Sequence, residues 1–116
     1  MGQGAIASGN YSTAIGNYST ASGASSTAIG NIVTASGSVS TAMGNWTTAS
    51  DYASLVIGQY NSSGSSATSA DSFSTSNTAF VIGNGADSSN KSDAFKVLFN
   101  GDATVSNDLT VSGDVV

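Results

Sequence analysis

The sequence predicts an all-β fold, a parallel β-solenoid whose coils contain 14 residues, on the basis of three observations. The stretch from Ala7 to Ser62 repeats a seven-residue unit that begins with Ala, except at Val56, and has Gly in third place, except at Asp51. The second residue alternates between Ser and an apolar residue, so the true period is 14. A Gly in every unit argues against a heptad coiled coil, since Gly in a helix interior costs about 0.5–1 kcal/mol relative to Ala.

Each coil is expected to consist of two short strands joined by Gly-centred bends. Side chains alternate across a strand, so the first and second residues of a unit face opposite sides. Ala in first place fits the interior of a coil so narrow that its two strands lie back to back. The second residue then faces away from the interior, as Ser on one strand and as Ile or Met on the other.

The apolar second residues predict a row along one side of the solenoid, with neighbours one coil or ~4.8 Å apart. An exposed apolar stripe marks an association surface, and a core made mostly of Ala is too thin to offset the entropy of the chain. A symmetric homo-oligomer is therefore the expected assembly. The predicted interface residues are Ile15, Ile29, Met43, Ile57 and Ile82. The alternative places Ile inward and Ala outward, which gives a monomer with a lopsided core.

The second half of the chain departs from the strict repeat. Asn61–Asn77 is almost wholly polar and is interpreted as a loop that leaves the solenoid. The sequence TAFVIGNG at Thr78–Gly85 echoes SLVIGQY, which predicts one further coil with Ile82 stacked beyond Ile57. Another loop is expected at Ala86–Asp93.

The stretch AFKVLFNGDATV predicts a β-hairpin, because Asn100 and Gly101 both favour the positive φ of a two-residue turn. Asp102–Val116 is expected to form two short β segments, with turns at Ser106–Asp108 and Ser112–Asp114. In an oligomer these strands would cap the end of the solenoid, whose terminal edge needs protection. The core candidates of this half are Phe80, Phe95, Leu98 and Phe99.

The composition excludes several classes of function. The 116 residues have a formal net charge of −5 and two basic residues, Lys91 and Lys96, so nucleic acid and anionic membranes are not expected partners. The chain has neither Cys nor His, which leaves its Ser residues without the commonest general base and removes common metal ligands. Its seven Asp residues lack the spacing of a calcium loop. We therefore expect no enzymatic activity and no cofactor.

Two sets of surface side chains are candidates for ligand contact. Aromatic residues at variable turn positions can stack on sugars or anchor in a protein, although bracing of the turns is the simpler interpretation. They are Tyr11, Tyr18, Trp46, Tyr52 and Tyr60. Thr13 and Thr20 begin two ladders that rise one coil per step. These ladders make ice binding a minor alternative, because Thr repeats singly here rather than as a T-x-T pair.

The segments STAIGNYSTASGASSTAIGN and STAMGNWTTAS resemble the head repeats of trimeric autotransporter adhesins, the family typified by the Yersinia adhesin. The resemblance spans about Ala5 to Ser62, and it implies a left-handed parallel β-roll that forms a homotrimer with the apolar strand on the threefold axis. It divides the chain into a head-repeat roll, residues 1–62, and a second part, residues 63–116, with the loop, the last coil and a C-terminal β cap or neck. The implied function is attachment to host or environmental surfaces through multivalent weak contacts with glycans or matrix-type proteins.

The stretch from Ser54 to Val116 is similar to segments of bacterial and phage fibre proteins, which often precede an intramolecular chaperone domain of the endosialidase type. A chain that stops at Val116 fits a mature fibre end after self-cleavage, and it fits a shortened fragment as well. The start, MGQGAIASGN, lacks the features of a signal peptide. For the parent protein, the resemblances imply the bacterial outer-membrane surface or a phage-like fibre. The alternative function is that of an architectural spacer or self-assembling filament without a ligand of its own.

Overall fold

The structure, a computed structural model, describes residues 2–116, and this part of the chain consists of strands and turns without a helix. Its eleven strands form two sheets. The short sheet contains, in order, β1 (Ile6–Ala7), β3 (Thr20–Ala21), β5 (Thr34–Ala35) and β7 (Thr48–Ala49). The long sheet contains, in order, β11 (Ala103–Val105), β10 (Asp93–Leu98), β9 (Thr78–Asn84), β8 (Leu55–Gln59), β6 (Thr41–Asn45), β4 (Thr27–Asn31) and β2 (Thr13–Asn17).

The strands of the repeat stack in parallel with an offset of 14 residues. In the long sheet Ile15 lies beside Ile29, and Ile29 lies beside Met43. In the short sheet Ala21 lies beside Ala35. Short and long strands alternate along the chain, so each coil contributes one strand to each sheet. The predicted all-β solenoid with 14-residue coils is confirmed, and it has about 4 turns.

The interior of the solenoid is narrow and is filled mainly by the first residues of the units from Ala14 to Val56. Ala side chains from both sheets are buried there, and three Val side chains enlarge the core. The members are Ala14, Ala21, Ala28, Val33, Ala35, Ala42, Ala49, Val56 and Val81. The apolar second residues lie outside this core, and Ile15 is 42% exposed. Ala therefore faces inward and Ile outward, and the opposite arrangement is wrong.

The coils are packed so closely that Gly is required in third place for a steric reason. A Cβ atom on Gly23 would lie 2.1 Å from the carbonyl oxygen of Gly37 in the next coil. The expectation that every such Gly marks a bend is wrong for half of the units. Gly16 lies within β2, where a Cβ atom would come 2.0 Å from the carbonyl oxygen of Gly30. Contact between adjacent coils, rather than bending, is thus the constraint common to both sheets.

The chain turns between the sheets at one corner residue per unit, and each of these has φ in the left-handed region. Their φ angles lie between 42° and 61°, although none is Gly. The corner residues are Tyr11, Tyr18, Ser25, Ile32, Val39, Trp46, Ala53 and Tyr60. From Tyr18 onward, the backbone N–H of each corner residue donates to a carbonyl oxygen of the preceding coil, as in the 2.7 Å bond from Ile32 to Asn17. These bonds hold a conformation that costs an L-residue about 1–2 kcal/mol.

The chain leaves the solenoid after β8 and returns in β9, as predicted. Residues 60–77 contain no strand, and we call this segment the excursion. β9 then pairs in parallel with β8, so that Ile82 lies beside Ile57. β10 pairs antiparallel with β9, and β11 pairs antiparallel with β10. The hairpin therefore covers the edge of β9, which would otherwise end the long sheet.

Three details of the C-terminal prediction are wrong. The hairpin turn is not the predicted two-residue turn but a three-residue turn over 99–101, in which only Gly101 has positive φ. The Gly101 N–H donates to the Leu98 carbonyl oxygen at 3.0 Å and closes this turn. Residues 106–116 contain no strand, so the stretch from Asp102 onward has a single β segment. The predicted aromatic and Leu core of this half is only half-buried, because no second sheet lies against the hairpin. The residues concerned are Phe80, Phe95, Leu98 and Phe99.

Candidate functional site

The outer face of the long sheet carries three parallel columns of side chains. Because side chains alternate along a strand, Thr13 and Ile15 of β2 face away from the buried Ala14, and Asn17, which follows Gly16, is exposed as well. The strand register repeats this arrangement from coil to coil, so an apolar column runs between a hydroxyl and an amide column. We call the middle column the apolar row. It consists of Ile15, Ile29, Met43, Ile57 and Ile82.

The apolar row is open to solvent. Ile15 is 42% and Met43 36% exposed, and the other three members are half-buried by their neighbours. The sequences of β2, β4, β6, β8 and β9 contain no charged residue, so neither the row nor its flanking columns carry charge there. A continuous apolar stripe without charge is suited to burial against another apolar surface.

An amide ladder borders the apolar row on one side. The side-chain Nδ2 of Asn17 donates to Oδ1 of Asn31 at 2.7 Å, and Nδ2 of Asn31 donates to Oδ1 of Asn45 at 2.7 Å. Gln59 is next in the column, and its Nε2 donates to the carbonyl oxygen of Gly85 at 2.7 Å. These bonds satisfy part of the amide hydrogen-bonding capacity within the sheet and tie adjacent coils together.

The five aromatic residues predicted for ligand contact do not form one surface. Tyr18, Trp46 and Tyr60 follow long-sheet strands and therefore lie at the same corner of different coils, with Ile32 between Tyr18 and Trp46. The rings of Trp46 and Tyr60 stack with centroids 5.7 Å apart and an interplanar angle of 13°. Tyr11 lies at the opposite corner and is 95% exposed, whereas Tyr52 is half-buried. Stacking thus braces one corner, and Tyr11 remains the most accessible ring of the five.

Asp51 anchors the excursion, a role that the sequence analysis did not assign. Its carboxylate is fully buried, and Oδ1 accepts the backbone N–H groups of Thr68 at 2.5 Å and Ser69 at 3.2 Å. Oδ2 accepts the N–H of Thr78 at 2.7 Å. The signal was present in the sequence, because Asp51 stands where other units have Gly. Since β7 is the last strand of the short sheet, no further coil of that sheet excludes a Cβ atom at this place.

Asn61 closes the open edge of β7 in the same region. Its side-chain Oδ1 accepts the N–H of Thr48 at 2.8 Å, and its Nδ2 donates to the carbonyl oxygen of Thr48 at 3.0 Å. Asn61 is only 2% exposed. These are the two kinds of bond that another strand would make, so one amide side chain replaces a strand at the end of the short sheet. The sequence predicts Asn61 only as the start of a loop, so this role of its side chain is a finding of the structure.

The described residues offer neither a metal site nor a pocket, and one carboxyl group has a shifted pKa. Over residues 2–116 there is no group of three or more acidic side chains close enough to hold a metal ion, and no pocket. Within the same residues there is no helix long and apolar enough to cross a membrane. In the loop after β9, the hydrogen bond from the Asn90 side chain holds the pKa of the Asp87 carboxyl below its usual value.

The fold and the apolar row define a repeat-built β-solenoid with an apolar stripe along one face. The YadA head domain repeat matches residues 1–19, 7–31 and 35–61, which together cover half of the chain. The chain therefore belongs to the YadA head domain family, the head repeats of trimeric autotransporter adhesins. No curated protein and no solved structure matches it.

Membership of this family supports an adhesin-type function. The family consists of non-enzymatic adhesins that are exposed at the cell surface and assemble as trimers. A homotrimer and an extracellular or outer-membrane location are consistent with it.

Proposed function

We propose that three copies of this chain associate through the outer faces of their long sheets, with the apolar row along the common axis. The observation that carries the proposal is the register of the row, whose members stack one coil apart outside a core of Ala and Val. Such a core buries little apolar surface per residue. Full burial of an exposed Ile side chain contributes about 1.5–3 kcal/mol, and each Ile of the row, which is already partly buried in the single chain, adds the remaining fraction of that amount when it packs against two other copies.

The flanking columns favour the same assembly. Burying the face desolvates apolar, hydroxyl and amide groups but no charge, so the penalty of an unpaired buried ion does not arise. Asn17, Asn31 and Asn45 already bond to one another, which further limits the polar groups that lose water without a partner. The net charge of −5 per chain is carried outside these columns.

In such a trimer, the surfaces that face away from the axis remain available to bind a ligand. The outer face of the short sheet presents hydroxyl groups, among them Ser22 and Ser36 beside Thr20 and Thr34, and Tyr11 projects from a corner. Such groups form weak hydrogen bonds and stacking contacts with glycans or matrix-type proteins. Three copies on one fibre multiply these contacts by avidity, so the trimer acts as a surface adhesin for host or environmental surfaces.

Replacing Ile29 by Asp is expected to abolish the trimer, because three carboxylates would be buried at the axis without partners. Sedimentation equilibrium at micromolar concentration should give a trimer for the wild type and dissociated chains for the variant, whose β-sheet circular dichroism should melt at lower temperature because the thin core loses the support of the interface. Ser22→Asp is the matched control, since Ser22 holds the corresponding place on the exposed short sheet. A monomeric wild type, or a trimer that tolerates Asp at position 29, contradicts the proposal.

Binding measurements separate an adhesin from an architectural spacer. The wild-type trimer is expected to bind members of glycan or matrix-protein arrays, and a monomeric Ile29→Asp chain is expected to bind them far more weakly because avidity is lost. A trimer that binds nothing on either kind of array favours the spacer. Thermal hysteresis in a freezing assay would instead favour the ice-binding alternative.

A further inference from the structure

Toward the C-terminal hairpin, the hydroxyl column of the long sheet is replaced by bulky apolar side chains. The place filled by Thr in β2, β4 and β6 is taken by Leu55 in β8 and by Phe80 in β9. On β10, Val97 lies beside Phe80, and Phe95 extends the apolar row beyond Ile82. The apolar part of this face is thus one side chain wide in the repeat and two side chains wide across β8, β9 and β10.

These bulky side chains lie on the same side of the sheet as the apolar row. Val56 and Val81, which alternate with them along β8 and β9, are fully buried in the core on the opposite side. Phe80 and Phe95 pack edge to face with centroids 6.1 Å apart. On β11, Val105 lies beside Phe95. We call this group the hairpin patch. It consists of Leu55, Phe80, Phe95, Val97 and Val105.

No other strand of residues 2–116 covers the hairpin patch. β10 contacts β9 and β11 alone among the strands, and Val105 is 36% exposed. Lys96 stands between two members of the patch in sequence, yet it lies beside Val81 and Thr104 and so belongs to the other face of the hairpin. The patch is therefore apolar, free of charge and continuous with the apolar row.

We propose that the hairpin patch belongs to the same interface as the apolar row and is the tightest part of the contact between copies of this chain. This inference rests on the proposed function, because the partner is a second copy of the same chain. Continuity with the row argues for that partner, since a symmetric contact along the row brings the patches of the copies together at the same end. Two Phe rings and the absence of charge match the core of a protein interface, in which aromatic residues are enriched and charged residues are depleted.

A pair of adjacent substitutions tests this assignment. Val105→Asp places a carboxylate on the patch, whereas Thr104→Asp places one on the opposite face of the same strand, beside Lys96. Both positions are exposed in the single chain, so neither change should unfold the hairpin. The concentration at which half of the trimer dissociates is expected to rise about tenfold or more for Val105→Asp. It is expected to change by less than about twofold for Thr104→Asp.

The outcomes distinguish this inference from the proposed trimer itself. A trimeric wild type whose Val105→Asp variant dissociates like Thr104→Asp overturns the hairpin patch and leaves the apolar row in place. A monomeric wild type overturns both. Val105→Ser removes the apolar contact without adding charge, and a smaller rise in the dissociation concentration with this variant supports the patch independently of electrostatics.

Discussion

Replacing Gly23 by Ala is expected to lower the free energy of unfolding by about 3 kcal/mol. The added Cβ atom would lie 2.1 Å from the carbonyl oxygen of Gly37 and 2.9 Å from that of Ser36, both backbone atoms of the next coil. Gly23 has an ordinary φ, so the loss would be steric rather than conformational. To relieve the overlap two coils must separate, which stretches hydrogen bonds on either side of the contact.

Urea unfolding followed by circular dichroism measures this loss, at one fixed protein concentration because assembly adds to the apparent stability. Gly113→Ala is the matched control, since a Cβ atom there meets nothing within 4 Å. We expect that control to lie within about 0.5 kcal/mol of the wild type. A Gly23→Ala variant as stable as the control would show that the coils are not packed at the described separation.

Replacing Asp51 by Ala is expected to destabilise the protein by about 3–5 kcal/mol, because three backbone N–H groups lose their buried acceptor together. Those donors belong to Thr68, Ser69 and Thr78, at the end of the excursion and the start of β9. Limited proteolysis should therefore cleave the variant within residues 60–77 much faster than the wild type. Hydrogen exchange of the Thr78 amide should rise in parallel.

Asp71→Ala provides the comparison for Asp51, because Asp71 also lies in the excursion but is exposed. Its carboxylate accepts one hydrogen bond, from the hydroxyl of Ser38 at 2.7 Å. Loss of an exposed bond of this kind is expected to cost less than about 1 kcal/mol. If both variants lose the same stability, the buried carboxylate of Asp51 does not hold the excursion to the solenoid.

The repeat portion of the fold was predictable because one physical rule governs every unit. Alternation across a strand makes Ala14 and Ile15 face opposite sides, and in a narrow core lined mostly by Ala the smaller side chain is the one inside. The same register predicted that Ile82 would stack on Ile57 after a break of many residues. Position along the repeat was therefore sufficient to locate the apolar row.

Features that depend on contacts between distant segments were not predictable in the same way. Asp51 and Asn61 act on backbone groups that the chain brings to them only after the excursion has folded. The hairpin was located, but its turn type depended on the pairing of Leu98 with Asp102, which Asn100-Gly101 alone did not specify. Phe80 and Phe95 suggested a core by composition, whereas the sheet to which they belong leaves their side of the hairpin uncovered.

At the corners of this solenoid, the backbone conformation is independent of which side chain is displayed. From Tyr18 onward the left-handed backbone of the corner residues is held by hydrogen bonds to the preceding coil, so it does not depend on the side chain, and Tyr, Ser, Ile, Val, Trp and Ala all occur there. Side chains at Ser25 and Val39 could be exchanged without altering the register of the strands. The molecule is in this respect a display scaffold, in which recognition groups grafted at one corner would be presented at regular intervals along a straight edge.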